Sequence, residues 1–233
     1  MDKNSNKYTF IYSILLVVIV ATVLTFIAVG LGPRQEKNVE LEKKANILKT
    51  INISSTTKDV EDLYNKYIVE SFVVNRNGEN VNGIDAFTIS LKEELRKEEN
   101  EQNLPVYIAK LDDGSKKYIF TLNGKGLWGG IWGYISLDSD LNTVYGVNFD
   151  HASETPGLGA EISTAVFQVN FKGKKIFDEN NNFVSIDVSK KVTEGNIHAV
   201  DAVSGGTITS NGVRDMLKNC LNAYLGYIKK VKN

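Results

Sequence analysis

The longest apolar stretch of the chain runs from Thr9 to Leu31, 23 residues without a charged side chain, and Ile14 to Val20 within it is wholly branched aliphatic. At a rise of about 1.5 Å per residue, this length covers the roughly 30 Å of hydrocarbon in a bilayer. The pattern predicts a membrane-spanning helix, with Tyr8 and Tyr12 as interfacial anchors at one end and Gly30, Gly32 and Pro33 ending it at the other. A cleaved leader would carry a shorter apolar run and a small-x-small cleavage pattern, so the segment reads as an uncleaved anchor held by membrane lipid.

After Pro33 the pattern changes. Leu41, Ala45, Leu48 and Ile51 form an approximate helical stripe in a segment dense in Glu and Lys, which reads as a stalk or first helix. The expected division is a flank over 1–8, an anchor over 9–31, a stalk and first helix over 32–52, and one domain over 53–233. Val60, Leu63, Tyr64 and Tyr67 predict a second short helix, capped near Thr57 or Asp59. Leu91 to Gln102 is mostly charged and reads as a solvated helical face or loop.

From Pro105 the alternation is that of strands. Val106–Leu111 and Lys117–Leu122 flank the turn Asp112-Asp113-Gly114-Ser115, and Ile131–Leu137 and Thr143–Asp150 flank Asp138 to Asn142, which gives two hairpins. Val166–Phe171 and Phe183–Val188 read as further strands separated by an Asn180-Asn181-Asn182 turn. Val213, Met216, Leu217, Cys220, Leu221, Tyr224, Leu225 and Ile228 lie on one face of a closing helix. The expected fold is α+β: one transmembrane helix, then an antiparallel-sheet domain ending in an amphipathic helix.

Charge and composition narrow the chemistry. Lys and Arg number 27 against 28 Asp and Glu, so no field for a polyanion exists, which argues against nucleic acid as a partner. Lys3 and Lys7 precede the anchor, while Arg34, Lys37, Lys43 and Lys44 follow it. A simple count would keep the domain inside, yet long domains translocate largely regardless of charge, so the side stays open. Cys220 is the single cysteine, which rules out an internal disulfide and reads as a small core residue. His151 and His198 have no ligand-like spacing, so no metal site is expected and any redox centre must be organic or borrowed.

One segment, directly before the closing helix, carries chemistry. Asp201-Ala202-Val203-Ser204-Gly205-Gly206-Thr207-Ile208-Thr209-Ser210 places paired glycines and four hydroxyls at a helix entrance. Free amides and the positive dipole end there predict a phosphate site over Ser204 to Ser210. The plainer reading is a capped turn with Ser210 as N-cap. Neither a P-loop nor a dinucleotide fingerprint is present.

Asp201-x-x-Ser204-Gly205-Gly206-Thr207 resembles the Asp-x-x-Ser/Thr-Gly-Ala-Thr motif of FMN-binding domains, in which a flavin transferase esterifies FMN through its phosphate to the last threonine. Gly206 stands where alanine is usual. Glu154-Thr155-Pro156-Gly157-Leu158-Gly159 resembles the family loop that faces the flavin, and Gly124-Lys125-Gly126-Leu127-Trp128 its Gly-x-Gly-Leu-Trp strand approach. Leu41 to Leu48 is similar to the Leu-x-Lys-Lys-x-Asn-Ile-Leu start of the domain, so the likeness extends over essentially the whole chain. It is nearest to the C subunits of the sodium-translocating NADH:quinone oxidoreductase complex, Nqr; the G subunits of the Rnf complex share the anchor and the flavin threonine.

The resemblance implies a domain on the periplasmic side of the cytoplasmic membrane, with FMN on Thr207. It implies partners in the Nqr complex, which oxidises NADH, reduces ubiquinone and exports sodium. The chain would relay single electrons from an iron-sulfur centre to a flavin in a neighbouring subunit. Ser204, Gly205, Gly206, Thr209 and Ser210 would surround the phosphate, Trp128 and Leu158 would wall the ring, and Glu154, Thr155 and Gly159 would give polar or backbone contacts. For Trp128 core packing is the rival role. Lys172, Lys174 and Lys175 either reach the phosphate or form a solvated hairpin face. Two classes compete with the redox reading: an anchored envelope binding or scaffold protein with a reversible phosphate-ligand site, and a hydrolase with a threonine nucleophile, for which no adjacent base is evident.

Overall fold

The structure, a computed structural model, describes residues 5–232; Lys3, one of the flanking charges, lies outside them. Its chain divides into two units, one up to Lys43 and one from Lys44 onward.

Helix α1 spans Asn6–Thr50 and supplies the one described helix long and apolar enough to cross a membrane. Within its apolar part Thr22 Oγ1 donates to the Val18 carbonyl at 2.7 Å and Thr25 Oγ1 to that of Ala21 at 2.8 Å, so these hydroxyls are satisfied by the helix itself. Gly30, Gly32 and Pro33 do not end it. Proline in a helix interior loses one backbone bond and costs roughly 3 kcal/mol, but the cost is confined to one turn. The Glu-, Lys- and Leu-rich residues that follow favour helix and carry it on to Thr50.

In the second unit a six-stranded antiparallel sheet has the order β2-β1-β3-β4-β5-β6. Helix α2 (Val60–Tyr67) leads into β1 (Ile68–Val74), which pairs with the short β2 (Asn80–Val81) and with β3 (Leu104–Lys110). The charged segment between them includes the single-turn helix α3 (Leu91–Glu94), with Leu91, Glu94 and Gln102 buried. Strands β4 (Lys116–Lys125), β5 (Gly130–Leu137) and β6 (Val144–His151) complete the meander, and both expected hairpins are present.

Two expected strands are corrected. Residues Val166–Phe171 are not extended: α4 (Ala165–Gln168) runs into a 3-10 turn over Val169–Phe171. Phe167 and Phe171 are buried while Val166 and Val169 are exposed, a spacing of four rather than an alternation. Of Phe183–Val188 only the end is strand, as β7 (Asp187–Ser189), which pairs in parallel with β8 (Ala199–Asp201).

Helix α5 (Thr207–Lys232) lies on one face of the sheet, with Val213, Met216, Leu217, Cys220, Leu221, Tyr224 and Ile228 buried in the core cluster. Cys220 is fully buried and its thiol exchanges contacts with the Asn123 backbone at 3.3 Å, as a core residue does. Tyr224 Oη donates to the Pro105 carbonyl at 3.0 Å, so its one polar atom is satisfied inside the core. On the sheet's other side the end of α1 and the turn after it bury Ile47, Leu48 and Ile51, and Ser136 Oγ donates to the Thr50 carbonyl at 2.6 Å.

Candidate flavin-binding site

Thr207 is the first residue of α5. The turn before it needs Gly205 at φ +73°, where a side chain is strained, and is closed by Gly206 N donating to the Val203 carbonyl at 3.0 Å. Ser210 N bonds the Gly206 carbonyl at 2.9 Å as the first helical bond. The amides of Thr207, Ile208 and Thr209 therefore precede any intrahelical acceptor and form the positive end of the helix.

The hydroxyls divide into different roles. Ser210 is not the N-cap: it is fully buried one turn inside the helix, where its Oγ accepts from Val203 N at 3.0 Å, and it does not line the cleft. Ser204 is exposed and outside the cleft. Asp201, which opens the motif, accepts from Val192 N at 2.9 Å and so pins a neighbouring loop. Thr207 is half-buried, and its hydroxyl makes no hydrogen bond to the described residues.

Glu154 ties the site together. Its side chain is 4 % exposed; Oε2 accepts from Thr209 Oγ1 at 2.5 Å and Oε1 from Trp128 N at 2.9 Å. Burial pushes its carboxyl upward, but the Thr209 hydroxyl and the backbone amides of Trp128, Gly129 and Leu127 outweigh that and hold it below the ordinary glutamate value. One carboxylate thus joins the β4–β5 loop, its own loop after β6 and the first turn of α5. Room for it comes from glycines. A Cβ at Gly126 would lie 2.5 Å from Oε1, and one at Gly159 would collide with both Oε2 and Thr209 Oγ1.

Around this support lies a cleft of about 390 Å³, within the range of small-molecule sites. It brings together Trp128, Glu154, Thr155, Leu158, Gly159, Gly205, Gly206, Thr207 and Thr209. Trp128 is 67 % exposed, so core packing does not explain it. Leu158 faces solvent beside it, as do Leu127 and Ile208, two lining residues that sequence reasoning missed. The signal for Ile208 was an apolar side chain off the buried stripe of its helix. Lys172, Lys174 and Lys175 are not at this cleft; Lys174 Nζ donates to the Asn196 carbonyl at 2.6 Å.

A family model described as the FMN-binding domain matches residues 126–222, from the Gly126 cradle into α5. The C subunit of the Na(+)-translocating NADH-quinone reductase of Vibrio vulnificus is 33 % identical over 203 residues, covering 80 % of this chain and 79 % of the relative. The chain belongs to that family of C subunits. The family's member from Haemophilus ducreyi is 29 % identical, with 99 % of this chain and 96 % of the relative covered. The crystal structure of the C subunit from Parabacteroides distasonis is 47 % identical, with a TM-score of 0.77 over 83 % of this chain and 94 % of that one. The structure of NqrC from Shewanella oneidensis, at 24 % identity and a TM-score of 0.71, shares the fold.

Proposed function

We propose that this member of the family is anchored in the cytoplasmic membrane by α1 and carries FMN as a phosphoester on Thr207, relaying single electrons within a sodium-translocating NADH:quinone reductase. The observation that carries this is the setting of Thr207: an uncommitted hydroxyl at the positive end of a helix, opening into a cleft with exposed apolar walls. FMN, when bound, would supply the reversible one-electron redox chemistry that this role requires.

The residues present fit that group. The amides of Thr207, Ile208 and Thr209 offset phosphate charge. Leu127, Trp128, Leu158 and Ile208 offer contiguous apolar surface to a flat ring, which would remove it from water. Glu154 and Thr209 keep the walls and the tether in register. Gly206 in place of alanine fits as well, since a methyl there would sit 3.1 Å from Val203 Cγ1.

The domain stands on the periplasmic side, a flavin transferase attaches the cofactor, and other Nqr subunits deliver and remove the electrons. No sodium route is assigned to α1, which has no charged residue between Thr9 and Leu31 where ion-coupling groups would be expected. Intact-mass measurement of the chain matured with its transferase tests the reading: the Thr207 peptide gains one FMN, Thr207→Ala loses it, and Thr209→Ala keeps a measurable fraction. Unmodified Thr207 in fully matured protein would overturn the assignment and leave a reversible ligand site.

A further inference from the structure

A second cleft, of about 420 Å³, lies between the end of α1 and the free edge of β6, and it shares no lining residue with the cleft beside Thr207. Its lining includes two lysines, Lys49 and Lys172, and no carboxylate. Neither lysine has an ion-pair partner among the described residues; Lys172 Nζ lies 5.9 Å from the centre of the Tyr145 ring. Nor does the helix end consume Lys49. Asn52, at φ +60°, closes α1 by donating its N–H to the Lys49 carbonyl at 3.0 Å, Ile53 N takes that of Leu48 at 3.1 Å, and Ser136 Oγ that of Thr50.

Asn148 is the decisive group. It lines the cleft at 7 % exposure, and its carboxamide makes no hydrogen bond with the described residues. Its carboxamide atoms are not sealed from solvent, so they open into the cleft and are available to a bound molecule in exchange for water. The shape favours a compact occupant over an added strand. The β6 edge is taken at one end by Gln168 Nε2 on the Phe149 carbonyl at 3.0 Å and at the other by the backbone of Gly173 and Lys174 on Val144 at 2.8 Å.

We propose that this cleft binds a small organic anion. Lys49 and Lys172 hold its acid group, Asn148 gives a directional hydrogen bond, and Ile53, Val147 and Val169 pack against an apolar or planar body.

Phenyl phosphate, inorganic phosphate and benzyl alcohol separate the contributions in titrations of the flavinylated full chain, followed by calorimetry and ligand-observed NMR. The expected result is binding of phenyl phosphate that weakens as salt is raised. Inorganic phosphate binds more weakly for want of an apolar body, and benzyl alcohol does not bind. The double variant Lys49→Gln/Lys172→Gln, altered only at exposed positions, keeps its flavin and binds about tenfold less tightly. Asn148→Leu weakens binding severalfold at unchanged flavin content. Absence of phenyl phosphate binding at millimolar concentration, equal binding by the double variant, or equal binding of benzyl alcohol would each overturn the proposal. So would a segment of a neighbouring subunit filling the cleft in the assembled complex. Flavin content is read separately, so failure here leaves the Thr207 assignment standing.

Discussion

The two clefts are nearly equal in volume, about 390 and 420 Å³, yet they are built on opposite treatments of a buried polar side chain. Beside Thr207, Glu154 is buried and fully engaged, by a hydroxyl and several amides. Beside Lys49, Asn148 is almost as buried and engaged by nothing among the described residues. A satisfied buried group acts as scaffold: it holds backbone segments in place and leaves recognition to its surroundings. An unsatisfied one is available to a ligand. Size does not tell such sites apart, whereas hydrogen-bond accounting does.

That contrast breaks first, and by the largest margin, at Glu154. Glu154→Ala strands the Thr209 hydroxyl and the loop amides together, and the expected loss is about 3–5 kcal/mol in urea unfolding, with a matching fall in flavin incorporation. A loss under about 1 kcal/mol would show that the carboxylate is not the scaffold described. Next comes Gly159→Ala, whose methyl collides with the same pair; about 1–3 kcal/mol of destabilisation is expected. Thr209→Val removes a single charge-assisted bond and is expected to cost about 1.5–3 kcal/mol, with Thr207 still flavinylated in the mass spectrum.

Acidification sharpens the same comparison. The carboxyl of Glu154 is depressed in the folded chain, so the unfolded chain binds more protons as pH falls through the ordinary glutamate range. Its contribution is complete above that range and is lost as pH drops through the folded value. Asp59, Asp112, Asp113, Asp140 and Asp178 are depressed too, so the Glu154 part is the difference between wild type and Glu154→Gln. Parallel pH curves for the two proteins would contradict an ionised Glu154. The smallest effect is expected at Asn148→Leu: a near-isosteric apolar replacement of an unbonded amide changes stability by less than about 1 kcal/mol, of either sign.

What the sequence disclosed was local. The stripe of α5, both hairpin turns and the run of hydroxyls before Thr207 each lie within a few consecutive residues, where periodicity and turn chemistry suffice. Contacts between distant residues were not legible. Thr209 and Glu154 are 55 residues apart, and nothing in either segment alone indicates that the glycines of both flanking motifs make room for one carboxylate. Val166–Phe171 misled because its closely spaced apolar residues satisfy either period, and only Thr164 at the N-cap of α4 decides for helix. Ser210 misled in the opposite way, a good capping residue displaced into the interior because the glycine turn starts the helix four residues earlier.

Because Glu154 gathers three stretches, the last of them opening α5, the surroundings of Thr207 come into being only once α5 has packed against the loops after β4 and β6. If Thr207 carries FMN as proposed, attachment is expected to follow folding. Under that proposal, a chain cut short within that helix would offer the same threonine as a floppy peptide, stripped of the relief that distinguishes it from other hydroxyls, and would gain no flavin.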